Sequence, residues 1–313
     1  SSVIRRVVAE GKTLAEMEDP VALIGENGTG KSFFAQCIHN GSPRAKKPYI
    51  VINAGTIAQQ DAARVLFGSD DGAKPRMGLF ELAGGGTIAL QGLGDASEAF
   101  FSCLRQVLLQ HSYFAVGGVT TIPFSARLLA LVTPEERRRI PRDLWDQLSV
   151  FSLNLPLLKD RQEDVSTLFR FFLLRESILM PPRTQKELEE ILSFYSWPAN
   201  LISLSAVSKR YILLYQQAMN PSPSAKQQIL IRAIGEDELL SDIYRQYPAL
   251  TDAANSPPEE VLAGVAAMKR ILKYNNSVIA DKLGLGRTTL WRIQKKAGVS
   301  DAGEDTDSPE PIE

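Results

Sequence analysis

Val21-Ala22-Leu23-Ile24-Gly25-Glu26-Asn27-Gly28-Thr29-Gly30-Lys31-Ser32 joins a short apolar run to a glycine-rich loop and the first residues of a helical pattern. The stretch reads as strand, phosphate-binding loop and helix start. In the G-x-x-x-x-G-K-S spacing from Gly25 to Ser32, small residues let successive backbone N–H groups surround a phosphate chain, so Gly25, Glu26, Asn27, Gly28, Thr29 and Gly30 form the cradle. Lys31 reaches the terminal phosphates, and the Ser32 hydroxyl suits a magnesium ion. The helix that follows, through Phe33, Phe34, Cys37 and Ile38, would turn its positive N-terminal end toward the same anion.

Outward from this loop, short apolar runs alternate with amphipathic helical patterns as far as about Leu155. The strand candidates are Val21–Ile24, Tyr49–Asn53, Thr87–Leu90, Tyr113–Val116, Ala126–Val132 and Phe151–Leu155. Between Ala96 and His111, residues Phe100, Phe101, Leu104, Val107 and Leu108 share one helical face. Such alternation predicts an α/β fold with a mostly parallel sheet, which binds ligands at the carboxyl ends of its strands. The glycine loop lies at one of those ends.

Past Asp160-Arg161-Gln162-Glu163-Asp164 the strand patterns stop. Helices over Val165–Leu179, Gln185–Tyr195 and Leu201–Gln217 predict an all-α domain. Proline and small polar residues cluster in Asn220-Pro221-Ser222-Pro223-Ser224 and Asn255-Ser256-Pro257-Pro258, and the interval between reads as a linker carrying short helices.

The last folded unit is expected over 258–298, with helices Glu259–Tyr274, one starting near Ser277, and Arg287–Lys296. The last two, joined through Gly284-Leu285-Gly286, match a helix-turn-helix pattern whose second helix enters the major groove of double-stranded DNA. Its candidate DNA-contacting residues are Arg287, Thr288, Thr289, Arg292, Lys295 and Lys296, with Leu290 and Ile293 left to pack inward. Lys269, Arg270, Lys273, Lys282 and the basic residues of the third helix face only Glu259, Glu260 and Asp281, a local basic excess. From residue 299 the tail is acidic and is expected to be disordered.

Composition sets few limits beyond these. With 313 residues the chain has room for several domains, and its net charge of −1 means that any nucleic-acid contact comes from local clustering. Cys37 and Cys103 have no metal spacing and sit in apolar helical contexts that favour burial. His39 and His111 are too far apart for a metal pair. No run is apolar and long enough to span a membrane, and a cytoplasmic setting is the expectation.

Several ordered stretches resemble the bacterial enhancer-binding proteins, AAA+ activators of sigma-54 RNA polymerase with a Fis-type helix-turn-helix domain. They are Gly25–Ser32, Ile52-Asn53-Ala54, Leu66-Phe67-Gly68, Gly78-Leu79-Phe80-Glu81-Leu82-Ala83 with Gly85-Gly86-Thr87, Asp143-Leu144 with Leu148–Phe151, Leu155–Arg161 and Trp197-Pro198-Ala199-Asn200. The resemblance implies an AAA+ α/β nucleotide-binding subdomain over 1–158, a helical lid over 159–219, the linker over 220–257 and the terminal DNA-binding domain. It implies ATP or a related nucleotide with magnesium as cofactor, and self-association as a dimer or higher oligomer.

This chain departs from the family pattern at several functional positions. The family's GAFTGA loop, which contacts the sigma factor, is shortened here to Gly68-Ser69-Asp70-Asp71-Gly72-Ala73 running through Met77 into Gly78. Where the family ends its third strand with an Asp-Glu pair, this chain has Gln91-Gly92. The family's sensor asparagine falls on Thr133, its cross-subunit arginines on Pro141 (beside Arg142) and Gln147, and its lid arginine on Ile202. Asn53 matches the residue that restrains the family's catalytic glutamate, which is missing. The expected function is a DNA-binding transcription regulator whose AAA+ domain binds nucleotide without efficient hydrolysis and acts independently of sigma-54, with RNA polymerase holoenzyme as partner. A hydrolysing sigma-54 activator and a scaffold that binds no nucleotide are the alternatives.

Overall fold

The computed structural model describes residues 1–70, 75–219 and 221–296, without the side chains of Arg183 and Lys296. Two compact units account for these residues. The first comprises Ser1–Val165 together with Trp197–Leu204. In it, α1 (Ser2–Ala15) precedes β1 (Val21–Ile24), α2 (Lys31–Asn40), β2 (Tyr49–Asn53) and α3 (Ala62–Phe67). A small hairpin, β3 (Gly68–Ser69) with β4 (Arg76–Met77), leads to α4 (Leu79–Ala83), β5 (Thr87–Gln91) and α5 (Glu98–Gln110). A second hairpin, β6 (Ser112–Phe114) with β7 (Thr121–Pro123), precedes β8 (Arg127–Val132), α6 (Pro134–Arg139), α7 (Arg142–Leu148) and β9 (Phe151–Asn154).

The central sheet is parallel throughout, in the order β2-β5-β8-β1-β9. β8 is buried at every position, and its side chains alternate between two cores. Leu128, Ala130 and Val132 join Ile52, Leu90, Phe100 and Leu104 on one face; Leu129 and Leu131 join Val7, Leu23, Ile38 and Leu153 on the other. A strand covered on both faces loses the polar alternation of a half-exposed one, which is why β8 reads as a continuous apolar run. Arg127 is the polar exception: its buried guanidinium donates to the carbonyls of Leu14, Ala15 and Asp19, satisfying the end of α1.

One strand expectation needs correcting. The segment predicted over Tyr113–Val116 is not part of the parallel sheet; Ser112–Phe114 pairs antiparallel with Thr121–Pro123. Gly117, at φ 83°, and Gly118 turn the chain back within a few residues, too few for the helical crossover that a parallel neighbour requires. Cys37 is also exposed rather than buried, because it falls on the outer side of α2 beside the inward pair Ile38 and His39; Cys103 is buried as expected.

The second unit is helical and comprises Ser166–Ser196 and the described residues from Ser205 onward. Its elements are α8 (Gln162–Arg175) past its first turn, α9 (Pro182–Phe194), α10 (Leu201–Gln217) past its first turn, α11 (Pro223–Ile234), α12 (Glu236–Gln246), α13 (Pro258–Ala267), α14 (Asn276–Lys282) and α15 (Arg287–Lys296). The interval expected to be a linker holds α11 and α12, which bury Ile229, Leu230, Ile231, Ile234, Leu239 and Ile243. Ser196 N–H donates to Asp242 at 2.8 Å, and the Tyr195 and Tyr274 hydroxyls bond Glu238 and Glu236. These bonds tie both α9 and the C-terminal helices to α12. Burial together with the neighbouring carboxylates pushes both phenols well above the usual tyrosine range. The helix expected over Glu259–Tyr274 is α13 extended by a wider π turn over Met268–Leu272, ending where Lys273 takes φ 59°. The acidic stretch expected from residue 299 lies outside the described residues.

Candidate functional site

The Gly25–Ser32 loop stands at the carboxyl end of β1 and opens α2. Gly28 and Gly30 take φ values of 77° and 107°, which side chains rarely tolerate. A Cβ on Gly28 would stand 2.2 Å from the Ala199 carbonyl oxygen, so this glycine is required by space as well as by backbone conformation. No side chain caps the N-terminus of α2 at Gly30, which leaves its first N–H groups without a side-chain acceptor. Ser32 is exposed at this end. Lys31 is drawn back onto the loop, its ammonium donating to the carbonyls of Gly25 at 2.7 Å and Glu26 at 3.2 Å. Burial lowers its pKa, opposed by the negative charges of Glu136 and Glu26.

The Trp197–Asn200 segment fastens this loop, a role its family resemblance did not specify. Asn200 Nδ2 donates to the Asn27 carbonyl at 2.9 Å while its Oδ1 accepts from Leu158 N–H at 2.8 Å. Leu201 N–H donates to the Gly28 carbonyl, and Arg161, also buried, donates to the Thr29 carbonyl at 3.0 Å. Asn200 takes a φ of 51°, which asparagine tolerates better than most residues. Ile202, at the position of the family's lid arginine, is 60% exposed and offers no charge.

At the end of β5, beyond β8, Gly92 takes φ 66° and ψ 28°. A Cβ there would fall 2.4 Å from Asn53 Oδ1. A side chain at this position would carry left-handed strain and displace the Asn53 amide. Gln91 is half-buried, and its amide supplies no charge for a metal. Magnesium is usually held by one or two carboxylates together with phosphate oxygens and water. Gln91 and Gly92 do not fit that donor set, and no cluster of three metal-binding side chains exists among the described residues.

Thr133 is used locally. Its hydroxyl accepts from Glu136 N–H at 3.1 Å while the Glu136 carboxylate accepts from Thr133 N–H at 2.7 Å, a capping box that starts α6. Glu136 carries a carboxylate to this end of the sheet and was not singled out from sequence, although T-P-E-E is legible as a capping signature. Arg142 and Asp143 are exposed, and Arg105 pairs with Asp143 at 2.7 Å. Pro141 and Gln147, half-buried, replace the cross-subunit arginines.

In the second unit, Asn275 caps α14 by accepting from Val278 N–H at 2.9 Å, and Gly284, at φ 64°, ends it. On α15, Arg287, Thr288, Arg292 and Lys295 are exposed, Thr289 is half-buried, and Leu290 is buried. The Lys296 side chain lies outside the described residues. Trp291, absent from the sequence-derived candidates, is 52% exposed with Lys295 Nζ 4.7 Å above its ring.

Comparison with known proteins adds a family to this geometry. Residues 1–154 match the family model for the sigma-54 interaction domain. The DNA-binding transcriptional activator HyfR of Escherichia coli (strain K12) is 30% identical over 96% of this chain and 47% of its own length. The DNA-binding transcriptional regulator NtrC of Rhizobium meliloti (strain 1021) is 30% identical over 95% of this chain and 68% of its own length. Among solved structures, NtrX from Brucella abortus in complex with ADP superposes with a TM-score of 0.66 at 23% identity, over 96% of this chain and 69% of that one. The Thermotoga maritima RuvB K64R mutant superposes with a TM-score of 0.52 at 13% identity, over 94% of this chain and 85% of that one. These structures share the AAA+ fold. The chain spans less than half the length of the first curated relatives it matches.

Proposed function

The chain belongs to the bacterial enhancer-binding protein family, and from that premise we propose that it is a DNA-binding transcription regulator whose AAA+ domain binds a nucleotide without efficient hydrolysis. The observation that carries this reading is the contrast at the strand ends: the phosphate loop is formed, with the α2 N-terminus uncapped, while Gln91 and Gly92 bring no carboxylate to the end of β5 and Gly92 takes a left-handed φ of 66° that side chains rarely adopt. Phosphoryl transfer depends on positioning and charge neutralisation. Without either carboxylate, a loss of several kcal/mol lowers the rate by orders of magnitude at about 1.4 kcal/mol per tenfold.

In this reading the backbone of Gly25–Gly30 holds the phosphates, Lys31 exchanges its loop carbonyls for phosphate oxygens, and nucleotide occupancy acts as a conformational or assembly switch. The short link between β3 and β4 leaves too little chain for the family's sigma-contacting loop, which supports action independent of sigma-54. ATP turnover at high protein concentration, compared with Lys31→Ala, tests the proposal. Turnover by the unsubstituted chain that the variant lacks overturns it. The match to the sigma-54 interaction domain favours the second reading, a hydrolysing sigma-54 activator, and the same assay decides between the two.

For DNA, the reading makes α14 and α15 a helix-turn-helix in which Arg287, Thr288, Thr289, Arg292 and Lys295 face the duplex. Arg287→Ala or Arg292→Ala weakens specific binding by about 1–3 kcal/mol where the side chain reads a base. Unchanged binding to the cognate site by both variants overturns the assignment of α15.

A further inference from the structure

The carboxylates missing from β5 leave open what deals with the cation that accompanies a nucleotide's phosphates, and the neighbouring strand supplies an answer. In the sheet, β8 lies between β1 and β5, and Gly25 N–H donates to the Val132 carbonyl at 3.1 Å. On the other side Gln91 is in register with Leu131. Thr133, the next residue along β8, therefore stands between the first residue of the phosphate loop and the turn at Gly92. The carboxylate of Glu136 is anchored to the N–H of Thr133.

Glu136 is also held from the side of β5. A Cβ on Gly94 would stand 2.8 Å from Glu136 Cγ and 2.9 Å from its Cα, so α6 rests directly on the turn that follows Gly92. Arg139 fixes the same helix to that turn through Asp95 at 2.8 Å. The arrangement needs a glycine at 94 and leaves Glu136 half-buried rather than sealed away. A helix start, instead of β5, thus holds one carboxylate just past the end of β8, against the turn that follows Gly92.

We propose that Glu136 takes over the metal-facing role of the absent strand carboxylates, holding a divalent cation such as magnesium against the phosphates of a nucleotide on the Gly25–Ser32 loop. The inference rests on the nucleotide-binding reading above. A single carboxylate suffices for this purpose, because magnesium keeps several waters and takes its remaining ligands from phosphate. Lys31 fits the same scheme: its charge lies in the field of Glu136, and an arriving phosphate–cation pair gives both groups new partners of opposite sign.

The test is titration calorimetry of ATP with the full chain, in magnesium chloride and again in EDTA, for the unsubstituted protein and Glu136→Gln. Glutamine also serves at the third position of a capping box, so the variant keeps the α6 start while removing the charge. The expected result is that magnesium strengthens ATP binding by the unsubstituted chain, and that Glu136→Gln loses about tenfold of this advantage, or 1.4 kcal/mol, with EDTA affinity equal or higher. An undiminished magnesium effect in Glu136→Gln overturns the role of Glu136 while leaving nucleotide binding intact. Equal weakening in magnesium and in EDTA also overturns it, since that pattern reports a damaged loop. No ATP binding by the unsubstituted chain under either condition overturns both this inference and the reading it rests on.

Discussion

The phosphate loop and the end of β5 both occupy the C-terminal edge of one sheet, and both contain a glycine at positive φ pressed against a neighbour. They differ in what presses. Gly28 meets the backbone carbonyl of Ala199, held there by the hydrogen bonds of Asn200 and Leu201 to the loop. Gly92 meets first the side-chain oxygen of Asn53, an exposed residue able to rotate, with the Gly55 backbone nitrogen farther off at 3.3 Å. The loop is thus locked by main chain, while the strand end is closed by one movable amide. A site can lose its reactive groups and keep its cradle when the two are braced by different parts of the fold.

The sharpest way to break this comparison is Gly28→Ala. Left-handed strain and a backbone clash together cost about 2–5 kcal/mol in urea unfolding, and Ala199→Gly gives no rescue because the obstructing atom is a carbonyl. Rescue by that second change would show that the lock is a side-chain effect. Next in size, Lys31→Ala removes charged hydrogen bonds to phosphate and weakens ATP binding by about 1.5–3 kcal/mol, roughly one to two decades. Calorimetry giving equal affinity for the variant would detach the lysine from the site.

Gly92→Ala should be milder, about 1–2 kcal/mol of left-handed strain, because Asn53 can swing aside. In an Asn53→Ala background the cost should stay within that range, and a much larger penalty in the single variant would mean that Asn53 is as fixed as Ala199. The smallest effect concerns His39, which ties α2 to the start of β5 through Thr87 Oγ1 at 2.9 Å. Burial holds its pKa below the ordinary value of 6.5, although a hydrogen bond from the ring to the Lys47 backbone opposes the shift. The folded state therefore prefers the neutral ring, and its contribution to stability is complete above pH 6.5 and diminishes as pH falls from there toward the lowered value. In His39→Gln that increment of pH dependence should vanish; an identical stability–pH curve for both proteins would remove His39 as its source.

Much of this was legible from residue order alone, for reasons that differ by region. Val21–Ile24 is a strand where expected because a covered parallel strand must be apolar throughout, and Tyr49–Asn53 is one at the sheet edge, where only Ile52 is fully buried. The phosphate loop is equally local, since glycine spacing sets backbone freedom without reference to the rest of the chain. Tyr113–Val116 misled because a short apolar run carries no information about its pairing partner. In the interval 220–257, read as a linker carrying short helices, the proline-rich ends are legible in sequence, but not that α11 and α12 bury Ile229, Leu230, Ile231, Ile234, Leu239 and Ile243. Glu136 was overlooked because in sequence it is one acid of a helix start, and only the order of strands puts that helix beside the loop.

The sequence by itself determined the loop, the alternation of strands and helices, the absence of the Asp-Glu pair at Gln91-Gly92 and the basic face of α15, all properties of residue type and short-range spacing. Tertiary structure alone decided that Asn200 and Arg161 hold the loop, that Asn53 closes over Gly92, and that Glu136 reaches the strand ends. Those contacts join residues far apart in the chain, and which of them meet depends on strand order and the close packing of backbone atoms, neither of which is encoded in any one segment.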